Sequence, residues 1–499
     1  MPANNGKKTI LLLSDDIRMN SGIATMGREL VLSTCHRYNW INIGGAITHP
    51  EKGQVFDLSQ STNEIKKIKD SYVKVYPVDG YGNEQVLFQL MAIEKPDAIL
   101  HFTDPRFWGW LYALEKQIRR VIPLTYLNIW DDIPYPMYNR PFYESCDALF
   151  SISKQTYNIN KWVLGENNTC TISDGKLKGR TLLQLCPHGI DPETFYPIPK
   201  TDAKLIEFKN KIFGSKNYKY AIFYNSRNVH RKRTSNIMLA FRTFCDNLPK
   251  EEAAKCVLIM HTEIMQDAGT NLLAVKEAFC PNYNIIFSPG KLSPADMNLL
   301  YNTVDMTVNA SSNEGFGLSV AESIMSGTPV TVTVTGGLQD QIGQVDDNGK
   351  PVEFTADFGT NNIGKYKRHG AWAYPVWPVT RLIQGSIPTP YIFDDLSKWE
   401  DFAEGFMYWY LLGDEKREAC GKQGREWAMG DGGLNSANMG QQFINGMEYL
   451  FTNWTSPSKF GLYSIKDYVG NIMKDGHMGF EIPKIDTTTL IEKTEAFVV

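Results

Sequence analysis

Asn313-Glu314-Gly315-Phe316-Gly317-Leu318-Ser319-Val320-Ala321-Glu322 is the stretch on which the reading of this chain turns. It lies between Asp305–Ala310, whose pattern predicts a strand, and Leu318–Ser326, whose spacing predicts a helix. In open parallel sheets ligands sit beyond the carboxyl ends of the strands, so a loop between strand and helix faces the cleft. Gly315 and Gly317 let the backbone approach a ligand closely, and the free N–H groups of a helix start suit an anion. Glu314 and Glu322 stand eight positions apart, about two helical turns. Two carboxylates on one side of a helix start can accept hydrogen bonds from hydroxyls at two places along one ligand. The competing reading is a glycine-rich turn beside two ordinary surface glutamates.

Outward from this loop, strand and helix patterns alternate. Toward the N-terminus the expected elements are strand Tyr220–Asn225, helix Thr234–Cys245, strand Cys256–His261, helix Asn271–Phe279, strand Tyr283–Phe287 and helix Ala295–Tyr301; strand Pro329–Val334 follows the loop. A separate alternation occupies the first part of the chain. Its expected strands are Thr9–Ser14, Trp40–Gly44, Val73–Tyr76, Ala98–Phe102, Leu124–Trp130, Ala148–Ile152 and Leu182–Leu185, with helices such as Glu84–Glu94 and Trp108–Arg119 between them. Such alternation predicts parallel sheets covered by helices on both faces, hence two doubly wound domains. The segment Pro187 to Tyr218 carries Pro192, Pro197 and Pro199 among charges and reads as a linker without a helix of its own. The expected division is 1–195 with 435–499 for the first domain and 196–434 for the second. Ile342–Ser386 reads as an irregular insertion, and Asp394–Leu412, Asp414–Met429 and Asn435–Trp454 as helices.

A length of 499 residues asks for more than one core. The hydrophobic fraction of 42% and charged fraction of 21% are those of a soluble globular protein. A net charge of −4 supplies no global basic field for nucleic acid or anionic membrane. Lys7 and Lys8 precede only a short apolar run that Asp15 and Asp16 end, so no signal peptide is expected, and no stretch reaches the ~20 apolar residues of a membrane span. The eight cysteines are scattered without a CxxC, which predicts reduced thiols in a cytoplasmic protein and no zinc site. The adjacent Asp-Asp pairs make poor chelators, and no bound metal is expected.

Three further segments bear on chemistry. Arg227-Asn-Val-His-Arg-Lys232-Arg, at the end of strand Tyr220–Asn225, is read alone as a solvated basic loop or a nucleic-acid patch. Asn20-Ser21-Gly22-Ile23-Ala24 follows the first strand and opens a helix, and His101-Phe102-Thr103-Asp104-Pro105 ends another strand at the cleft edge. Lys176, Lys178 and Arg180 are candidates for contacts with acceptor phosphates, against the plainer reading of solvated loops.

Glu-Gly-Phe-Gly with a second glutamate after seven intervening residues resembles the donor-site signature of the retaining GT-B glycosyltransferases, in particular glycosyltransferase family 4. Cys186-Pro-His-Gly-Ile-Asp191 with Phe195 and Pro197 resembles that family's interdomain motif; Arg227 and Lys232 resemble its Arg…Lys pair, and Gly336-Gly337 with Asp340 its following loop. The resemblance implies two Rossmann-like domains facing a cleft, with a C-terminal crossover helix. It implies a nucleotide-sugar donor, UDP-linked for preference, and no cofactor. Arg227 and Lys232 would then hold the diphosphate, Glu314 the sugar and Glu322 the ribose, with Gly22, Gly315, Phe316, Gly317 and Leu318 around the donor. Where many members carry a histidine at the end of the strand read as Leu124–Trp130, this chain has Trp130, so Asp131, His101 and Asp104 become the candidates for orienting sugar or acceptor, with Asp131 first, and Trp130 itself falls to the acceptor side. The run Leu12–Ser33 and the insertion before Trp399 resemble in style the glycosyltransferases of large tailed phages, some of which decorate hydroxymethylated pyrimidines in DNA. Double-stranded DNA is therefore one expected acceptor, a glycan, lipid or small molecule the alternative. A non-catalytic nucleotide-sugar-binding protein is a third reading.

Overall fold

The computed structural model describes residues 5–177, 179–288, 290–352 and 365–457. Lys178 and the chain from 458 onward lie outside the described residues. The chain builds two parallel sheets, each from runs that are apolar on both faces. β1 (Lys8–Asp15) shows why: after Lys8 every residue of the strand is buried, as a strand sandwiched between helix layers must be. With β2 (Tyr38–Gly45), β3 (Phe56–Asp57), β4 (Val73–Pro77), β5 (Ala98–Phe102), β6 (Leu124–Asn128), β7 (Ala148–Ser151), β8 (Thr169–Cys170) and β9 (Thr181–Leu185) it forms a nine-stranded sheet ordered 3-4-2-1-5-6-7-9-8. Only the short β3 runs antiparallel to its neighbour. The second sheet has six parallel strands, β10 (Tyr220–Asn225), β11 (Cys256–His261), β12 (Ile285–Phe287), β13 (Met306–Asn309), β14 (Val330–Thr333) and β15 (Ala373–Val376), ordered 12-11-10-13-14-15. An antiparallel hairpin, β16 (Thr380–Ser386) and β17 (Thr389–Leu396), stands apart from both.

Five expectations need correction. The linker contains a helix, Ala203–Phe213, which Asp202 caps by accepting from the N–H groups of Lys204 and Leu205. Strand β6 stops at Asn128 because its side-chain oxygen takes the N–H of Trp130 at 2.9 Å, turning the chain out of the ladder. Trp108–Arg119 breaks into short pieces, Gly109–Ala113 and Glu115–Ile118, after a 3-10 turn over Pro105–Trp108. Within Ile342–Ser386, Ala373–Val376 completes the second sheet, and Thr389–Leu396 is a strand, so the helix expected from Asp394 starts only at Trp399.

The last helix, Ser436–Asn453, packs on the first sheet. Phe443 meets the rings of Trp40, Tyr38 and Phe150, and Gln442 accepts from the Gln184 side chain at 2.9 Å. Glu448 accepts from Tyr38 and pairs with Arg37. Two passes of chain join the sheets, and they lie against each other: Ile190 N–H donates to Leu434 and Ser436 N–H to Ile190. Gly189 makes that contact possible, since a Cβ there would sit 2.5 Å from the Ser436 Cα and 2.6 Å from the Asn435 carbonyl oxygen. Gly189→Ala should therefore destabilise the protein by about 1–3 kcal/mol, the usual cost of overpacking, read as a lower urea midpoint. An unchanged midpoint would mean the two passes separate freely.

Candidate active site

The cleft is built where the two sheets bring strand ends together. A helix starts on each side: Gly22–Thr34 after β1, capped by Ser21, and Leu318–Met325 after β13, with Gly317 at its N-cap. They approach so closely that a Cβ on Gly22 would lie 3.6 Å from Leu318 Cδ1. The first N–H groups of a helix have no partner within it, a disposition suited to an anion. The Ser21 hydroxyl donates to Asp15 at 2.5 Å, and burial pushes the Asp15 carboxyl above its ordinary range.

Glu314 lies on the loop that leads into the second of these helices. It pairs with Lys232 and accepts from the Ser311 hydroxyl at 3.3 Å. Burial opposes its ionisation, but Lys232 and Arg231 outweigh burial and hold the carboxyl below the usual glutamate value. Lys232 is buried, and burial together with Arg231 lowers its own pKa despite Glu314. The backbone beneath is clamped: Gly337 N–H donates to the Glu314 carbonyl at 2.8 Å, and a Cβ on Gly337 would fall 2.1 Å from the Gly315 carbonyl oxygen. Glycines are thus required at 336–337 by close approach. Across the cleft, a Cβ on Gly315 would lie 3.0 Å from the Ile129 carbonyl oxygen and 3.6 Å from Asp131 Cβ. Asp131 stands 3.8 Å from Arg231, whose guanidinium also donates to the Asn313 carbonyl at 2.7 Å.

Glu322, further along the same helix, accepts from the Tyr301 hydroxyl at 2.8 Å, and Tyr301 accepts from Asn225 at 3.0 Å. Burial raises the Glu322 carboxyl to about 7, the Tyr301 hydroxyl opposing.

The structure thus brings together Gly22, Lys232, Glu314, Gly315, Gly317, Leu318 and Asp131. Arg227 stands exposed just beyond β10, on the same loop as Lys232. Other expected residues are placed differently. His101 is fully buried, its Nδ1 bonded to the Tyr112 hydroxyl at 2.8 Å and its Nε2 to Thr103 at 3.0 Å. Its ring stacks on Tyr126, and burial lowers its pKa to about 3, so it is a neutral core histidine with no nitrogen for the cleft. Asp104 caps the turn after β5 and is bound by Arg106. Trp130 is buried in the first domain's core and donates to the Asp132 carbonyl at 2.9 Å, which removes it from the acceptor side. The Phe316 ring is buried against His188. Lys176 and Arg180 precede β9, at the end of the sheet away from the cleft, and the Arg180 guanidinium donates to the carbonyls of Leu177, Thr169 and Lys176. Arg231 and the Asn225–Tyr301 relay are the additions. Arg231 was visible in the basic run, but successive side chains of a tight turn point in different directions, and nothing in their spacing singles it out.

Hairpin β16–β17 bridges the domains beside this site. Phe393 N–H donates to the Ile133 carbonyl at 2.9 Å, and Tyr138 donates to the Tyr391 carbonyl at 3.0 Å. On the other side Asp394 binds Arg233 and Ser312, and Asp395 binds Thr335. Among the described residues no helix is long and apolar enough to cross a membrane.

Solved structures share this architecture across most of the chain. The Anabaena protein HepE, solved with UDP and glucose, aligns with a TM-score of 0.58 at 14% identity, over 88% of this chain and 99% of that one. Sucrose-phosphate synthase from Thermosynechococcus elongatus aligns with a TM-score of 0.59 at 13% identity, over 89% of this chain and 100% of that one. The molecule has the GT-B fold. Residues 206–355, which hold Lys232, Glu314 and Glu322, match the family model of glycosyl transferases group 1. Mannosylfructose-phosphate synthase of Agrobacterium fabrum is 24% identical over 231 residues, 44% of this chain and 44% of that protein, so the match spans less than half of that relative.

The Glu322 carboxyl gives a pH test. An ordinary glutamate titrates at 4.5, whereas this one titrates at about 7 when folded. Between those values the folded chain keeps a proton that the unfolded chain has released, so this group's contribution to stability is lost as pH rises through that window, by about 3 kcal/mol at most. Glu322→Gln keeps the Tyr301 hydrogen bond and removes the titration. Its Tm relative to wild type should rise from pH 5 to pH 8; a constant difference would show that Glu322 ionises normally.

Proposed function

We propose that this protein is a glycosyltransferase that moves a sugar from a UDP-sugar to an acceptor hydroxyl with retention of anomeric configuration. The observation that carries the reading is the Lys232–Glu314 pair on the loop leading to one of two facing helix starts. A diphosphate fits the helix starts and Lys232, with Arg227 reaching in from the exposed loop. Glu314 accepts from the sugar hydroxyls and Glu322 from the ribose. As the glycosidic bond breaks, negative charge grows on the leaving phosphate, and fixed cations and N–H dipoles stabilise it without a metal. The departing phosphate oxygen takes the proton of the acceptor hydroxyl. Retention rests in this reading on the resemblance of the donor-loop motif to that of retaining enzymes; Asp131, beside the Arg231 guanidinium, is suited to orienting a substrate. The similarity of residues 206–355 to group 1 glycosyl transferases supports the reaction class; the UDP in the HepE structure supports the nucleotide.

For the acceptor we favour a small hydroxylated molecule, a sugar or sugar phosphate. The phosphate contacts expected for double-stranded DNA lie away from the cleft, at Lys176 and Arg180. Sugar phosphates are named in mannosylfructose-phosphate and sucrose-phosphate synthases, to which the chain is similar. Labelled UDP-sugars should be offered with fructose 6-phosphate, glucose 6-phosphate and hydroxymethylcytosine DNA. A labelled sugar phosphate is expected; label on the DNA alone would remove the small acceptor and keep the transfer. Binding of UDP-sugar without label on any acceptor would favour a non-catalytic nucleotide-sugar-binding protein.

Two substitutions separate the roles. At pH 8 and above, where the Glu322 carboxyl is ionised, Glu322→Ala should weaken UDP binding about tenfold or more, the cost of a lost hydrogen bond to a charged group. Asp131→Asn should lower turnover more than donor affinity, because it keeps size and loses charge on the acceptor side. If calorimetry with UDP finds Glu322→Ala equal to wild type, the ribose assignment fails.

A further inference from the structure

Behind the donor loop, a cavity of about 670 Å3 opens between the start of the Thr234–Asp246 helix and the start of the Trp399–Leu412 helix. It is separate from the cleft. Ala310 lines it, while the next residue, Ser311, turns to Glu314. Lys232 pairs with Glu314, whereas Arg233, in the left-handed region at φ 51°, turns into the cavity. The volume is that of a small-molecule site.

Its chemistry is mixed in a particular way. Trp399, 39% exposed, and Phe402 give it aromatic surface. Lys398 and Asn236 offer donors, Arg233 at the rim being held by Asp394 at 2.9 Å; Glu400, Asp401 and Glu404 offer acceptors. An anionic ligand would meet three carboxylates, and a cationic one would meet Lys398 beside the Arg233–Asp394 pair. A neutral ligand rich in hydroxyls satisfies both sets, each hydroxyl donating to a carboxylate or accepting from a cation, while the C–H face of a sugar ring lies on an aromatic surface.

We propose that this cavity is a second, non-catalytic saccharide site, with Trp399 as its stacking platform and Asn236, Lys398 and Glu404 as hydrogen-bonding partners. The test is calorimetric titration of the full chain with sucrose, trehalose and maltotriose, in the presence of saturating UDP. At least one should bind, and Trp399→Ala should weaken it tenfold or more. Trp399→Tyr, which keeps an aromatic face, should retain binding, and Glu404→Gln, a milder change, should weaken it. Glu314→Gln, at the donor loop, should leave it unchanged. The proposal is overturned if none of the three sugars binds, if binding survives in a folded Trp399→Ala protein, or if Glu314→Gln abolishes it.

Discussion

The buried pairing of Lys232 with Glu314 is the interaction on which the rest of the site depends. Two charges removed from water are costly, and removing one partner of such a pair leaves the other uncompensated, at about 3–5 kcal/mol. The pair ties the turn after β10 to the loop after β13. That loop is in turn held from below by Gly337 and faced from across the cleft by the Ile129 carbonyl. The conformation of one lysine therefore bears on the position of a backbone segment touching both domains. A diphosphate arriving here would offer Lys232 a second anionic partner, so donor binding and the order of the loop are physically linked.

The two domains are also joined by contacts of opposite character. Asp340, from the second domain, accepts the N–H of Lys154 at 2.8 Å, at the first turn of the Lys154–Leu164 helix in the first domain. A carboxylate there complements the positive end of the helix dipole. Burial nonetheless raises Asp340 to about 6, with Lys154 opposing. Nearby, the His188 ring sits edge-on between Phe102 of the first domain and Phe316 of the second. Burial lowers its pKa to about 3, so it fills this space as a neutral aromatic residue. One joint is electrostatic and responsive to pH; the other is apolar packing.

The strands were legible where both faces are buried: Ala98–Phe102, Tyr220–Asn225 and Cys256–His261 have the bounds that their apolar runs imply. The donor loop was legible because its glycines and glutamates answer to local constraints, close backbone approach and a helix start. Hairpin β16–β17 was not, since β16 is mostly exposed and has no apolar face to alternate. His101 shows a different limit. A histidine at a strand end reads the same whether its ring faces a ligand or, as here, Tyr112, Thr103 and Tyr126. For Lys176 and Arg180, composition gave the charge but not the end of the sheet, which depends on the direction of β9 and its pairing with β8.

The return of the Ser436–Asn453 helix to the first sheet carries a consequence for synthesis. The Cys186 thiol meets the Met439 carbonyl across 253 positions of sequence. On the ribosome, the first domain emerges with Trp40 and Phe150 lacking the Phe443 ring that covers them. That apolar face stays open while the entire second domain is translated and folds, an interval of roughly ten seconds or more at ~5–20 residues per second. The domain translated earlier is thus completed later, and its apolar face on Trp40 and Phe150 stays uncovered until the Ser436–Asn453 helix arrives.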